Sequence, residues 1–368
     1  MSIQLDPWPP DFDELEKVIT GRTVPKRVHF VELGIDGEVW NYLEQHLFHR
    51  EGASQVPSQD NHIRRLIGGY ARLGYDCVHM GCPMRNLPAF KERRAADSAI
   101  LSRGERSWVE AGGGIIKNWE DFERIDWDSI RTDWSSLDDV ARYLPEGMKV
   151  TIGSTVFEMI LERFLGYEDL FILSVDNPEL VAKIFEIWGR KVYEAYEKAI
   201  GHPSVGAIFH ADDLGYKTGT MLGPGFLRQH VFPWFRSYAE LAHEHGKTYW
   251  YHCCGNVPEV MDDLLDDVGI DAFHSFQDVI IPISQFLNRY GHKVAALGGI
   301  DIDNLARLEE TQLRNYVRDT LSECMPGRFA LGSGNTIANY IPPGNYLAML
   351  EEGHNWRSGY RHAGRGDT

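Results

Sequence analysis

The sequence predicts an α/β protein: a single (β/α)8 TIM barrel with an N-terminal helix and a β-hairpin-containing insertion after the second strand. Three observations carry that prediction. Short β-branched or aromatic runs alternate with longer amphipathic stretches, the pattern of βα units around a parallel sheet. Eight such runs fit into the 368 residues. Chemically capable polar side chains gather where the runs end, as function does in a barrel. A doubly wound fold is the alternative, but no Gly-x-Gly-x-x-Gly follows the first run.

In order, residues 11–20 read as a leading helix, with Leu15, Val18 and Ile19 among charges. The first strand is expected over 27–33 and the second over 76–80, after a helical stretch from about His62 to Leu73. The insertion, about 81–147, holds Ser107 to Glu110, the Gly112-Gly113-Gly114 turn and Ile115 to Trp119, read together as a hairpin. Trp108 and Trp119 flank it as candidates for covering a pocket. The third strand is 148–152, followed by helices over 156–164 and 178–199, the second opened by Asn177 and Pro178. The remaining strands are 205–210, 248–253, 270–276, 293–297 and 328–331. No linker, repeat or low-complexity tract divides the chain. The domain reading is a helical extension over 1–26, the barrel over 27–353 and a tail over 354–368.

Composition narrows the partners. Lys and Arg number 37 against 54 Asp and Glu, a formal net charge of −17. Such an excess repels phosphate backbones and anionic lipid, so neither nucleic acid nor a membrane is expected. No apolar run approaches the roughly 20 residues of a membrane span, and no secretory signal opens the chain, so a cytoplasmic location is expected. The five cysteines are an odd, sparse count that suits thiols in a reducing compartment.

The sharpest feature is Tyr251-His252-Cys253-Cys254-Gly255-Asn256. Alternation along a strand puts His252 and Cys254 on one face and Cys253 on the other. An imidazole and a thiolate side by side are good zinc ligands, and Gly255 lets the backbone turn beyond them. The bland alternative is two small buried cysteines and a hydrogen-bonded interior histidine. His210-Ala211-Asp212-Asp213 repeats the spacing on the preceding strand. There, alternation aims His210 and Asp212 together and favours Asp212 for the cavity, as a third ligand, a base or an orienting acceptor, with the other aspartate capping the turn. Glu32, His79, Asp301 and Asn335 stand at the ends of other expected strands. Gly332-Ser333-Gly334-Asn335 lacks the Lys-Ser/Thr of a phosphate loop.

Three segments together resemble the uroporphyrinogen decarboxylase superfamily: His252-x-Cys254-Gly255-Asn256, Asp212-Asp213-x-Gly215, and Gly332 to Ile337 followed by Ile341-Pro342-Pro343 and Tyr346 to Met349. The resemblance runs in order from about Glu32 to Met349 and is nearest to the corrinoid-dependent methyltransferase branch. It implies a (β/α)8 barrel that moves a methyl group between a small-molecule donor or acceptor and a cobalamin held by a corrinoid partner protein. It further implies zinc on His252 and Cys254, activating an acceptor thiol, and a homodimer. The branch's later cysteine is absent, because Gly334-Asn335 stands in its place. A further ligand is then expected from Asp212, Glu32, His79 or His210. Asp212, Glu32, His210 and Asn335 are the candidate catalytic residues. The decarboxylase branch clamps tetrapyrrole carboxylates with arginines after the first strand; residues 30–36 here carry Glu32 and Asp36 instead, an electrostatic misfit. Decarboxylation through Asp212 or Asp301, and a non-catalytic barrel that binds a corrinoid partner, are the competing readings.

Overall fold

A computed structural model describes residues 5, 7–48, 59–109 and 114–356. It is an α/β fold that divides into two compact units: Met1–Val78 with Tyr143–Lys149 and Ala272–Thr368, and His79–Arg142 with Val150–Asp271. Seven main strands run Cys77–Gly81, Lys149–Gly153, Val205–Ala211, Thr248–His252, Ala272–His274, Ala295–Ile300 and Phe329–Ser333. The first two of these pass from the first unit into the second.

In the first unit, strand Ala295–Ile300 pairs in parallel with Ala272–His274 and with Phe329–Ser333. The expected strand over 27–33 is not formed as such. Phe30 makes a single parallel bridge to Leu331, and Ile35 a second to Ile337. Hydrogen bonds tie Val31 to Leu331 and Asp36 to Ile337, so two short pairings replace one long one. Eight strands and a closed barrel are therefore not established among the described residues. The leading helix, Phe12–Ile19, is capped by Asp11 and buries Phe12, Leu15, Val18 and Ile19, as its spacing predicts.

In the second unit, Val205–Ala211 pairs in parallel with Val150–Ile152 on one side and with Thr248–His252 on the other. Helix Pro178–Ile200 opens with Pro178 at its first position, and the Asn177 side chain accepts the Leu180 amide, as read from sequence. Phe232–Glu244 packs beside it, with Tyr196 and Tyr238 rings 5.2 Å apart. The helix expected over 156–164 is wound as a π-helix over Met159–Phe164, a form that recurs at functional sites. Helix Tyr167–Asp176 was not anticipated from the sequence.

The insertion pairs differently from the expectation. Glu105–Val109 runs antiparallel to the upstream Glu92–Ala96, not to the segment after Gly114. The buried Asp97 carboxylate accepts the Ala99 and Arg103 amides and so builds the turn between those strands. Trp119 instead begins a helix, Trp119–Glu123, capped by Asn118. Glu110 to Gly113 and the tail beyond Trp356 lie outside the described residues. Among the described residues no helix is long and apolar enough to cross a membrane.

A candidate metal centre

Register between two parallel strands decides which side chains meet. In the second unit Ala211 is paired with His252. Paired residues of neighbouring strands point to the same side of a sheet. The face of His252 and Cys254 is thus shared by Phe209 and Ala211 and continues to Asp213. His210 and Asp212 lie on the opposite, helix-facing side.

The geometry follows that rule. Cys254 Sγ and His252 Nε2 are 3.5 Å apart, and His252 Nε2 is 3.6 Å from Asp213 Oδ1. One ligand atom from each of Asp213, His252 and Cys254 lies within 4.8 Å of the others. Two backbone features hold the group. The Cys254 N–H donates to Asp213 Oδ1 at 2.6 Å. Gly255, at φ +84°, lies so close to Gly215 that a Cβ would sit 2.3 Å from the Gly215 carbonyl carbon. Only glycine allows that approach between the two loops.

Asp212 is placed elsewhere, and the preference for it over Asp213 is corrected. Its fully buried carboxylate accepts the amides of Val156, Phe157 and Glu158 at 2.7–2.8 Å, capping the turn that leads into the π-helix. His210 is likewise enclosed among helices. Its Nδ1 meets the Tyr196 hydroxyl at 2.8 Å, and the Phe235 and Tyr238 rings pack against it. Both sit as the spacing predicts relative to each other, but on the side away from Cys254. Cys253 points to that side too, where its Sγ accepts the Leu214 amide.

The centre is acidic and partly dry. Burial holds the His252 imidazole down to about 3, with His79 adding to the effect, so it stays neutral with a lone pair to give. His79 is itself pushed down to about 4 by burial, and its Nδ1 lies 3.1 Å from Thr151 Oγ1. Burial raises Asp213, with Asp212 adding repulsion. Glu158 is raised to about 9, first by burial and then by Asp213, Asp212 and Glu162. A cation among these carboxylates would relieve that repulsion. Glu158 and Glu162 carry no motif in the sequence; only the fold brings them here.

The donor set fits zinc. Metal–ligand distances of about 2.0–2.3 Å in a tetrahedron imply ligand–ligand edges of roughly 3.3–3.6 Å. The two edges at His252 Nε2 are 3.5 and 3.6 Å. Three protein ligands and an open position are the pattern of a catalytic site.

In the first unit, the Glu32 carboxylate accepts the Ser333 amide and its hydroxyl, each at 2.7 Å. Asn335 is half-buried in the loop after that strand. Asp301 caps helix Ile302–Arg307 and takes the Asp278 amide as well. The two carboxylates named for decarboxylation, Asp212 and Asp301, are thus both engaged by backbone amides.

No protein-family model and no curated protein matches the chain. Among solved structures it is similar to a methyltransferase from Methanosarcina mazei, at 13% identity and a TM-score of 0.62, over 92% of this chain and 96% of that one. It also aligns with a protein described as a vitamin-B12-independent methionine synthase from Listeria monocytogenes, at 10% identity and a TM-score of 0.44, over 89% and 96%. The first likeness establishes the fold.

Proposed function

We propose that this protein is a methyltransferase-like enzyme that moves a methyl group between a small substrate and a corrinoid carried by a partner protein, with zinc held by Asp213, His252 and Cys254. The observation that carries the reading is the convergence of one oxygen, one nitrogen and one sulfur donor within 4.8 Å of one another, at the C-terminal ends of two neighbouring parallel strands. The fold shared with the Methanosarcina methyltransferase supports it.

When bound, zinc would supply Lewis acidity that favours the thiolate of an acceptor thiol. The chain's own groups have distinct tasks. Neutral His252 offers Nε2, and Asp213 is aimed by the Cys254 amide. The Glu158 carboxyl, raised by burial and by Asp213, Asp212 and Glu162, adds to the negative charge that a bound cation would neutralise. Asp212 fixes the turn that presents Glu158.

The test is to incubate zinc-loaded protein with methylcobalamin and a panel of small thiols and follow loss of the methylcobalamin absorbance. Turnover that a Cys254→Ala variant loses supports the proposal. A zinc-loaded protein without turnover, or turnover unchanged in that variant, contradicts it.

A further inference from the structure

One imidazole beside the metal centre is not among its donors. His79 lies in the second unit, is partly exposed, and has its ring fixed on three sides. Its Nδ1 meets Thr151 Oγ1 at 3.1 Å, and the Phe209 ring stands edge-on to it at 5.3 Å. Gly153 is the third side: a Cβ there would sit 2.5 Å from His79 Cε1 and 3.0 Å from Nε2. Only glycine leaves room for the imidazole to lie along the strand. Thr151 and Gly153 are two residues apart on strand Lys149–Gly153, so they share a face, with Gly153 at the C-terminal end. The ring therefore runs from a buried hydroxyl toward the end of its neighbouring strand. Asp213, His252 and Cys254 gather at the same end of the strands that follow in the parallel sheet.

The Thr151 hydroxyl decides which nitrogen carries the proton. It is fully buried, and among the described residues His79 Nδ1 is its one partner. A buried O–H left without an acceptor is costly, so Thr151 donates and Nδ1 accepts. Burial holds the imidazole down to about 4, so at neutral pH the ring carries a single proton. That proton is on Nε2, at the edge of the ring over Gly153. Among the described residues nothing accepts it.

We infer that His79 is a specificity residue, a fixed Nε2–H donor that binds an uncharged oxygen of the substrate, a hydroxyl or a carbonyl, beside the atom that meets the metal. This rests on the reading above, in which a small substrate occupies the centre of Asp213, His252 and Cys254. A neutral imidazole offers no charge to a carboxylate, and Asp213, Glu158 and Glu162 would repel one. A hydroxylated thiol is the simplest ligand that suits both groups. Thr151 acts through His79, as a positioning residue.

Two measurements test it. The first is the two-bond proton–nitrogen spectrum of metal-free protein labelled in its histidines, which reads the tautomer whether or not zinc binding or methyl transfer is found. His79 is expected in the Nε2–H form. Thr151→Val, which keeps the volume and removes the hydroxyl, is expected to lose that preference, and Thr151→Ser to keep it. An Nδ1–H form in the wild type, or a preference indifferent to Thr151→Val, overturns the inference. The second is calorimetry of zinc-loaded protein with mercaptoethanol, ethanethiol and mercaptopropionate. Mercaptoethanol is expected to bind most tightly, and His79→Phe to shrink its advantage over ethanethiol by about tenfold, the scale of one hydrogen bond. An advantage unchanged in His79→Phe, or a wild type that prefers mercaptopropionate, overturns the inference as well.

Discussion

Asp213 Oδ1 accepts the backbone N–H of Cys254 at 2.6 Å and lies 3.6 Å from His252 Nε2. That one carboxylate links the two strand ends. It ties the loop after Val205–Ala211 to the loop after Thr248–His252 and faces the imidazole that a metal would share.

The two neighbouring aspartates should separate cleanly. Asp213→Asn removes a charged ligand and is expected to lower zinc affinity by about 100-fold while leaving the thermal midpoint near that of the wild type. Asp212→Asn weakens the cap on three buried amides and is expected to cost about 1–3 kcal/mol of stability with zinc still bound. Zinc titration and thermal unfolding on both variants check this; the reverse pattern would return the ligand role to Asp212.

The two loops depend on their glycines. Gly255→Ala places a methyl against the Gly215 backbone at a positive φ, and a penalty of about 1–3 kcal/mol with loss of zinc is expected. Gly225, with nothing within 4 Å of its added Cβ, is the control. Equal behaviour of the two alanine variants in zinc binding would show that the close approach does not hold the centre.

Glu32 makes stability depend on pH. Burial raises its carboxyl to about 8 despite two bonds from Ser333 that favour the charged form. The folded state therefore binds the proton more tightly than the unfolded state does. The contribution is complete below the unfolded value of 4.5 and is lost as pH rises through about 8. Urea unfolding from about pH 5 to about pH 9 should show wild-type stability falling more steeply than that of Glu32→Gln. Parallel profiles would mean that Glu32 is ionised in the fold.

Much of this was legible in the sequence, and the limits have physical causes. The seven main strands fall within a few residues of their expected positions because buried parallel strands are short apolar runs. The stretch over 27–33 reads the same way, yet pairing with Leu331 and Ile337 is set by partners 300 residues on, which local pattern does not encode. At the centre, i to i+2 spacing correctly places His252 with Cys254. It also places His210 with Asp212, but alternation says only that two residues share a face, never which face. The Ala211 to His252 register supplies that information and moves the choice by one residue, to Asp213. The Glu158 amide bonds to Asp212 across 54 positions, a contact with no local signature.

The most direct measurement is X-ray absorption at the zinc edge on purified, zinc-loaded protein, read beside Cys254→Ala and His252→Ala. The account predicts about one zinc per chain, with a single sulfur near 2.3 Å and nitrogen or oxygen ligands near 2.0–2.1 Å. It predicts that Cys254→Ala loses the sulfur shell and that both variants lose tight binding. A zinc shell without sulfur, or undiminished affinity in the two variants, would contradict it.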